Sequence, residues 1–417
     1  MRTDADVIVV GAGLAGLAAA GSARQCGARV LVLEAHQPGG RARCTRRDGF
    51  TFNMGAHALY VQGAGTRVLR SLEVTPQGAP PPLAGYRARV GERLHLLPTG
   101  PGSLLRTGAL GARSKAQLAG LFAALPRMQP AQLGSVTVEE WLRGRRLRPD
   151  AAALVRALIR LGTYTADTES FSAEAALTQM QIAARGGVHY LHGGWDQLTD
   201  ALARDLDLRT RVEVAGVDVA GDDVEVRTSQ GSLLAHRVVL APGGPEVVRR
   251  LLPADPGWRP LGERVTAACL DLALSEVPEP GYVLSVDEPT YATVQSPPAR
   301  QAPEGGAVAA VIRYGARSAA EDRPLLEAAA RIAGIETGAV QTSRFLACMT
   351  VTGAMPTAAA GGFEGRPRHD ETGVAGVTMA GDWVGPEGLL ADASLASGSA
   401  AGLAVGRDLR GSSKMVA

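Results

Sequence analysis

At 417 residues the chain is too long for one average globular core and suits two domains, or one large α/β unit with an inserted region. It is 46% hydrophobic and 20% charged, which excludes wholesale disorder, and its formal charge of +2 excludes an overall electrostatic drive toward nucleic acid. The 52 glycines and 25 prolines follow no collagen or linker period. Cys26, Cys44, Cys269 and Cys348 are scattered, without CxxC or a local histidine partner. That spacing predicts buried thiols in a reducing compartment and neither a metal site nor disulfides. The first apolar run, from Val7, is broken by Gly11, Gly13 and Gly16, and Asp4 and Asp6 outweigh Arg2 before it. This is not a signal-peptide pattern, and no apolar stretch is long enough to span a bilayer. The expectation is a soluble, cytoplasmic protein.

Asp6-Val-Ile-Val-Val-Gly-Ala-Gly-Leu-Ala-Gly16 reads as a buried parallel strand entering a glycine turn. An alanine-rich helix over Leu17–Cys26 follows, with Gly27 at its expected C′ position, then a second apolar strand, Arg29–Glu34, ending in a carboxylate. Gly11 permits the tight turn, Gly13 lets the backbone approach a pyrophosphate, and Gly16 lets helix and strand pack closely. The helix N-terminus offers free N–H groups to phosphates. Glu34 falls about 20 residues beyond the glycines, where a carboxylate accepts hydrogen bonds from a ribose diol. Glycines alone are often only turns; strand, glycines, helix, strand and terminal acid together predict a dinucleotide site.

Gly39-Gly40-Arg41-Ala42-Arg43 comes next, then Gly49-Phe-Thr-Phe-Asn-Met-Gly55-Ala-His57-Ala-Leu-Tyr60. Here the sequence resembles the FAD-dependent flavin amine oxidase and phytoene desaturase superfamily. The resemblance implies that Gly40 and Arg41 lie over the pyrophosphate and toward the flavin, and that Gly55-Ala56 passes beside the isoalloxazine. A flat ring needs backbone free of bulky Cβ substituents on one face. It likewise implies cofactor contacts from Gly11, Gly13, Ala15, Gly16, Glu34 and Ala35.

In the middle, Tyr190-Leu-His192-Gly193-Gly194-Trp195 precedes a helical pattern from Leu198 to Leu206. Strand patterns follow at Arg211-Val-Glu-Val, Val224-Glu-Val-Arg and Val238-Val-Leu-Ala241. The resemblance puts the Val212 backbone on the adenine side, although alternating valines are mostly ordinary strand residues. Thr137-Val-Glu-Glu140 reads as a capping box. Segments 81–184 and 263–350 lack cofactor signatures and read as an inserted α+β substrate domain. Segments 1–80, 185–262 and 351–417 then assemble a Rossmann-type FAD-binding domain on a mixed, largely parallel sheet, so the fold class is α/β.

Val377-Thr-Met-Ala-Gly381-Asp382-Trp383 reads as a short strand delivering an acid, and Leu390 to Leu403 as a small-residue helix through Ser394, Ser397 and Gly398. The resemblance implies that Gly381 and Asp382 bind the ribityl chain. It also implies that the helix N-terminus, with Ser394, faces the flavin's N1–C2=O edge, where partial positive charge stabilises reduced flavin. No cysteine lies in this motif, where some family members attach flavin covalently, so FAD is expected to be dissociable. Gly243-Gly244 lacks a third glycine and a downstream acid, which argues against a second, nicotinamide-binding fold.

The chemistry the resemblance implies is two-electron transfer from substrate to flavin N5, with oxygen or a quinone as acceptor. Many amine oxidases of the superfamily place a lysine near N5 and an aromatic cage around the amine. The only lysines here are Lys115, in a Leu/Ala-rich helix pattern, and Lys414, near the C-terminus. The cage position falls on Leu390, which has no quadrupole to hold an amine. These departures favour a hydrophobic substrate oxidised at carbon. A flavin amine oxidase and a reduced-flavin double-bond isomerase are the alternatives. His57 is the catalytic candidate, able to orient substrate or carry a proton, or else to be satisfied by hydrogen bonds beneath the flavin. No metal is expected. Residues 103–128 alternate leucines with Arg106, Arg113, Lys115 and Arg127, which suits a helix over the domain's own core, or peripheral membrane contact.

Overall fold

Val7, Ile8, Val9 and Val10 make the strand Ala5–Val10 apolar on both faces, and it lies inside a seven-stranded sheet. Val7 and Val9 enter one core cluster, with the helices Leu14–Gln25 and Leu390–Val416; Ile8 and Val10 enter another, with Val217, Val238 and Trp383. Buried both ways, the strand needs no polar alternation. The computed structural model describes residues 3–416, with side chains to residue 411, so Arg2 and the Lys414 side chain lie outside the described residues.

The order across this sheet is Asp207–Thr210, Val30–Glu34, Ala5–Val10, Gly231–Leu240, Asp223–Thr228, Val214–Ala220, with Val377–Met379 also on Gly231–Leu240. Pairings from Asp207–Thr210 through Ala5–Val10 to Gly231–Leu240 and Val377–Met379 are parallel; the other two are antiparallel. The second sheet runs Val340–Thr352, Val265–Leu274, Ala307–Tyr314, Thr290–Ser296, Val283–Ser285, Arg87–Val90, Arg93–Leu96. Only its Val283–Ser285 and Arg87–Val90 pair is parallel. It shares one large core with the helices Ala112–Ala124, Pro149–Thr163 and Ala173–Gly186. The result is a mixed α/β fold.

Several elements differ from the sequence expectation. The first helix starts at Leu14, inside the glycine motif. The expected strand Arg211-Val-Glu-Val does not form: the chain turns at Arg211 (φ 59°) between Asp207–Thr210 and Val214–Ala220, so Val212 sits in the connection. The last helix continues from Leu390 to Val416 instead of ending near Leu403. Ser103–Met128 forms two helices, Pro101–Arg106 and Ala112–Ala124, whose Leu104, Leu118 and Leu121 are buried in the core shared with the second sheet while Leu105 is 75% exposed. Thr137 and Glu140 make the reciprocal capping box, with bonds of 3.1 and 2.9 Å. The four cysteines are free, but only Cys269 is buried; Cys348 is exposed because its strand is the outer one of the second sheet.

Candidate active site

The turn after Val10 is shaped by close approaches. Gly11 adopts φ +100°, and a Cβ there would strike the Ala241 carbonyl, while a Cβ on Gly16 would strike the Gly11 carbonyl. Both positions therefore require glycine. Gly13 is different: a Cβ there would meet nothing within 4 Å, whereas one on Gly40 (φ +53°) would lie 3.4 Å from Gly13 Cα. Gly13 and Gly40 thus flank an open strip of bare backbone. The helix has no side-chain cap, and Leu17 N–H is the first to donate back, to Gly13 O at 2.9 Å. Its first-turn N–H groups, Ala15 among them, suit a pyrophosphate.

At the edge of this strip the Glu34 carboxylate accepts from Ala12 N and His36 N, each at 2.8 Å. Val212 N donates to Glu34 O at 3.0 Å, so the turn that removes Val212 from a strand places it against Glu34. A groove lined by Ala35, His36, Pro38, Arg43, Thr210 and Arg211 opens beside them.

The C-terminal segment meets the same strip from the other side. Arg41 Nη1 donates to Asp382 Oδ2 at 2.7 Å and to Val351 O at 2.8 Å. Asp382 is buried, and its Oδ1 also accepts from Gly353 N at 3.1 Å. Ser397 fixes Gly381, accepting from its N–H at 3.0 Å and donating to its carbonyl at 2.7 Å. Ser394 instead turns its hydroxyl back to Leu390 O in its own helix, 3.2 Å away. Cβ atoms on Gly398 and Gly402 would strike Ala15 O and Ala19 O, so these glycines clasp the last helix onto the first.

Gly55 (φ +85°) ends the strand Phe50–Asn53 and faces the second sheet: a Cβ there would meet Met349 Cε at 2.8 Å and Cys269 Sγ at 3.7 Å. His57 Nδ1 lies 3.1 Å from Gly55 O, and its ring packs edge-on to Trp195 with centroids 5.0 Å apart. Burial holds its pKa below the ordinary histidine value, against the Gly55 and Arg41 carbonyls that favour the charged form. The neutral ring that donates Nδ1–H to Gly55 O leaves Nε2 as an acceptor.

Sequence reading did not find the side chains that complete this region. Arg344 pairs with buried Asp271 at 2.5 Å and donates to Thr45 Oγ1 at 2.9 Å and to Asn53 O, tying the second sheet to the strand before Gly55. Burial raises the Asp271 pKa, and Arg344 opposes that. Tyr164 donates to Ala56 O at 2.6 Å and meets Tyr314 edge-on, 5.4 Å between centroids. Asp392, in the first turn of the last helix, accepts from Gly65 N at 2.8 Å and so caps the helix Ala64–Ser71 from outside it; burial pushes its pKa up to about 6. Lys115 lies on an outer helix and donates to Leu105 O at 2.8 Å.

Residues 14–269 match the profile of the family described as Flavin containing amine oxidoreductase. Over 56 residues, 13% of this chain and 10% of the relative, the sequence is 48% identical to chloroplastic prolycopene isomerase 2 of an Oncidium hybrid cultivar. Over 18% of this chain and 17% of the relative it is 39% identical to hydroxyneurosporene desaturase of Rhodobacter capsulatus. The chain thus matches less than a fifth of each curated relative's length. Cyclohexylamine oxidase from Brevibacterium oxydans superposes over 98% of this chain and all of its own, with a TM-score of 0.73 and 18% identity, a likeness of fold.

Proposed function

The chain belongs to the Flavin containing amine oxidoreductase family and is a flavin-dependent oxidoreductase; from that premise we propose that it binds FAD non-covalently and dehydrogenates a hydrophobic small molecule at carbon. The bare-backbone strip between Gly13 and Gly40 fits such a cofactor, since a side chain at either position would fill it. In this reading Gly11, Gly13, Ala15, Gly16, Gly40 and Arg41 hold the pyrophosphate, and Glu34, Ala35 and Val212 the adenosine end. Gly55 and Ala56 pass the ring, and Gly381, Asp382 and Ser394 hold the ribityl chain and pyrimidine edge. FAD, when bound, supplies the two-electron acceptor. Asp382 is oriented by Arg41 and Gly353. Neutral His57 orients substrate or takes the proton that substrate loses, through Nε2.

The observation that carries carbon oxidation is the lining opposite Gly55. Met349 and Cys269 stand there and, with Leu346 and Leu390, belong to the large core, and one aromatic face of that core already has a cation on it: Arg160 stands 5.6 Å from the Tyr314 centroid. A substrate ammonium would meet that charge, whereas an apolar skeleton gains roughly 25 cal/mol per Å² buried before association costs. Oxygen or a quinone serves as acceptor. Among the described residues no helix is long and apolar enough to cross a membrane, and membrane contact, if the substrate arrives from lipid, is assigned to exposed Leu105 and its basic neighbours. A second reading, a double-bond isomerase working on reduced flavin, has its support in the local identity to prolycopene isomerase.

The test is anaerobic stopped-flow bleaching of the flavin band with lipophilic alkenes and alicyclics against primary amines. Bleaching by the first panel is expected, slowed in His57→Ala with FAD retained. Bleaching by amines alone overturns carbon oxidation, and product formed only after prior flavin reduction, with no net oxidation, selects the isomerase.

A further inference from the structure

Charge is spread unevenly over the chain, and the positive excess collects on the helices that share the second sheet's core. Residues 101–148 hold eight of the 43 basic side chains but two of the 41 acids, so this stretch carries +6 and the remainder −4. Hydrogen bonds draw three of its elements together. Lys115 Nζ donates to Leu105 O at 2.8 Å, which joins the helix Ala112–Ala124 to Pro101–Arg106. On the other flank Gln117 Nε2 donates to Arg146 O at 3.1 Å, and Gln117 Oε1 accepts from Arg148 N at 2.9 Å. Arg113 lies one turn before Gln117 on the same side of that helix. Between the flanks Ala116, Ala119, Gly120 and Ala123 are exposed and bring no acid.

Arg106, Arg113, Arg146 and Arg148 are exposed and Lys115 is half-buried. None of the five has a carboxylate within 4.0 Å among the described residues. The acids nearby are engaged elsewhere: Glu139 with Arg156, Glu169 with Arg143 at 3.8 Å, and Asp150 with Ser114 Oγ at 2.7 Å and Gly111 N at 3.3 Å. Leu105, 75% exposed, stands beside Arg106 on the same helix.

Cations that no acid neutralises repel one another, and a partner of opposite sign removes that repulsion. A second copy of the chain would set cations against cations. A single nucleic acid strand is held by stacking on aromatic rings, whereas the two aromatics of this stretch, Phe122 and Trp141, pack in the core. A bilayer with anionic head groups meets both features of the face. Each basic side chain near such a surface gains roughly fivefold in partitioning, and an exposed leucine gains by entering the acyl boundary.

We propose that the face formed by Leu105, Arg106, Arg113, Lys115, Arg146 and Arg148 docks the protein on a membrane surface rich in anionic head groups. This deepens the reading of the substrate as a lipophile, on which it rests for its purpose though not for its binding.

The test uses FAD-loaded protein without substrate and sedimentation with vesicles of phosphatidylcholine, alone or mixed equally with phosphatidylglycerol. Binding to the anionic vesicles is expected to be at least tenfold stronger than to the neutral ones. It should vanish in about 1 M salt, where screening leaves a range of about 3 Å. Arg146→Glu with Arg148→Glu should cut it at least tenfold, with FAD content and melting temperature unchanged, because Gln117 bonds only their main chain. Leu105→Ser should cut it several-fold and leave the salt dependence as it was. Arg204→Glu with Arg250→Glu, at exposed positions outside the face, should change little. Equal binding to both vesicle types, full binding in the Arg146 and Arg148 pair, or an equal loss in the Arg204 and Arg250 pair overturns the docking face. So does a polyuridine oligomer that binds tighter than the anionic vesicles. Failure of these arms leaves flavin bleaching by lipophiles standing, and bleaching by amines alone leaves vesicle binding standing, so the two readings fail separately.

Discussion

The two halves of the molecule present their surfaces by opposite means. Around the first sheet the candidate cofactor strip is main chain: glycines at positions 11, 13, 16 and 40, an uncapped helix N-terminus and a few short side chains. Around the second sheet it is side chains. None of the seven tyrosines falls in the two core clusters flanking the first sheet; five are buried in the large core of the second, with hydroxyls in contact such as Tyr86 with Tyr190 at 3.1 Å and Tyr190 with Thr293 at 2.9 Å. A surface of backbone amides suits a ligand that never changes, because its geometry survives any substitution that keeps the turn. A surface of side chains can be rebuilt residue by residue, which is what a family with one cofactor and many substrates requires.

That contrast can be broken at several points. The largest effect is expected at the junction between the halves. Asp271→Ala leaves the mostly buried Arg344 guanidinium without its carboxylate and should cost about 4 kcal/mol in chemical denaturation, while Asp271→Leu with Arg344→Met should recover most of it. An equal loss in the double variant would mean that the pair's charge is not the issue.

Next comes Asp392. Its folded pKa, about 6, lies above the model-peptide 3.8, so the folded state binds the extra proton between those values. Stability from this group is therefore present below about pH 4 and is lost as pH rises to about 6, by up to about 3 kcal/mol. Asp392→Asn keeps an acceptor for Gly65 N and should flatten that part of the profile; thermal melts of both proteins from pH 4 to 7 provide the comparison.

On the backbone-lined side a single side-chain deletion should matter less. Glu34→Ala should weaken FAD by about 2 kcal/mol, read by titration of the apoprotein. Unchanged affinity would remove Glu34 from the site. Leu105→Ser, at an exposed position, should move unfolding free energy by less than about 0.5 kcal/mol. If it also leaves vesicle co-sedimentation untouched, membrane contact does not run through that helix.

The same contrast explains what could be read in advance. Gly11 and Gly16 are imposed by collisions with Ala241 O and Gly11 O, and those collisions recur wherever this turn is made, so the spacing is visible in the letters. Asp271 and Arg344 come together from strands 73 residues apart, and nothing local marks either. The turn that sets Val212 against Glu34 is not in the letters: alternating valines from Arg211 to Val214 predict a strand, and the positive φ at Arg211 has no composition signal. The last helix outruns its small-residue run because residues beyond Leu403 still find partners. Arg410 reaches back to Cys26 O at 2.5 Å, and Asp408 meets Arg237 at 2.5 Å from the solvent side.

The clasp of the last helix on the first also has a consequence for how the protein is made. Ser22 and Ser399 share a hydrogen bond of 3.0 Å across 377 residues of sequence, in the middle of the Gly398–Gly402 contact. A ribosome working from the N-terminus releases the first strand and helix long before their partner exists, so the Ala15, Ala19 and Ala23 face waits uncovered through nearly all of translation. Within this chain the first sheet and its helices are thus begun before the second sheet and completed after it. Closing so long a loop adds entropy that grows only slowly with its length, so the delay is a matter of timing more than of final stability.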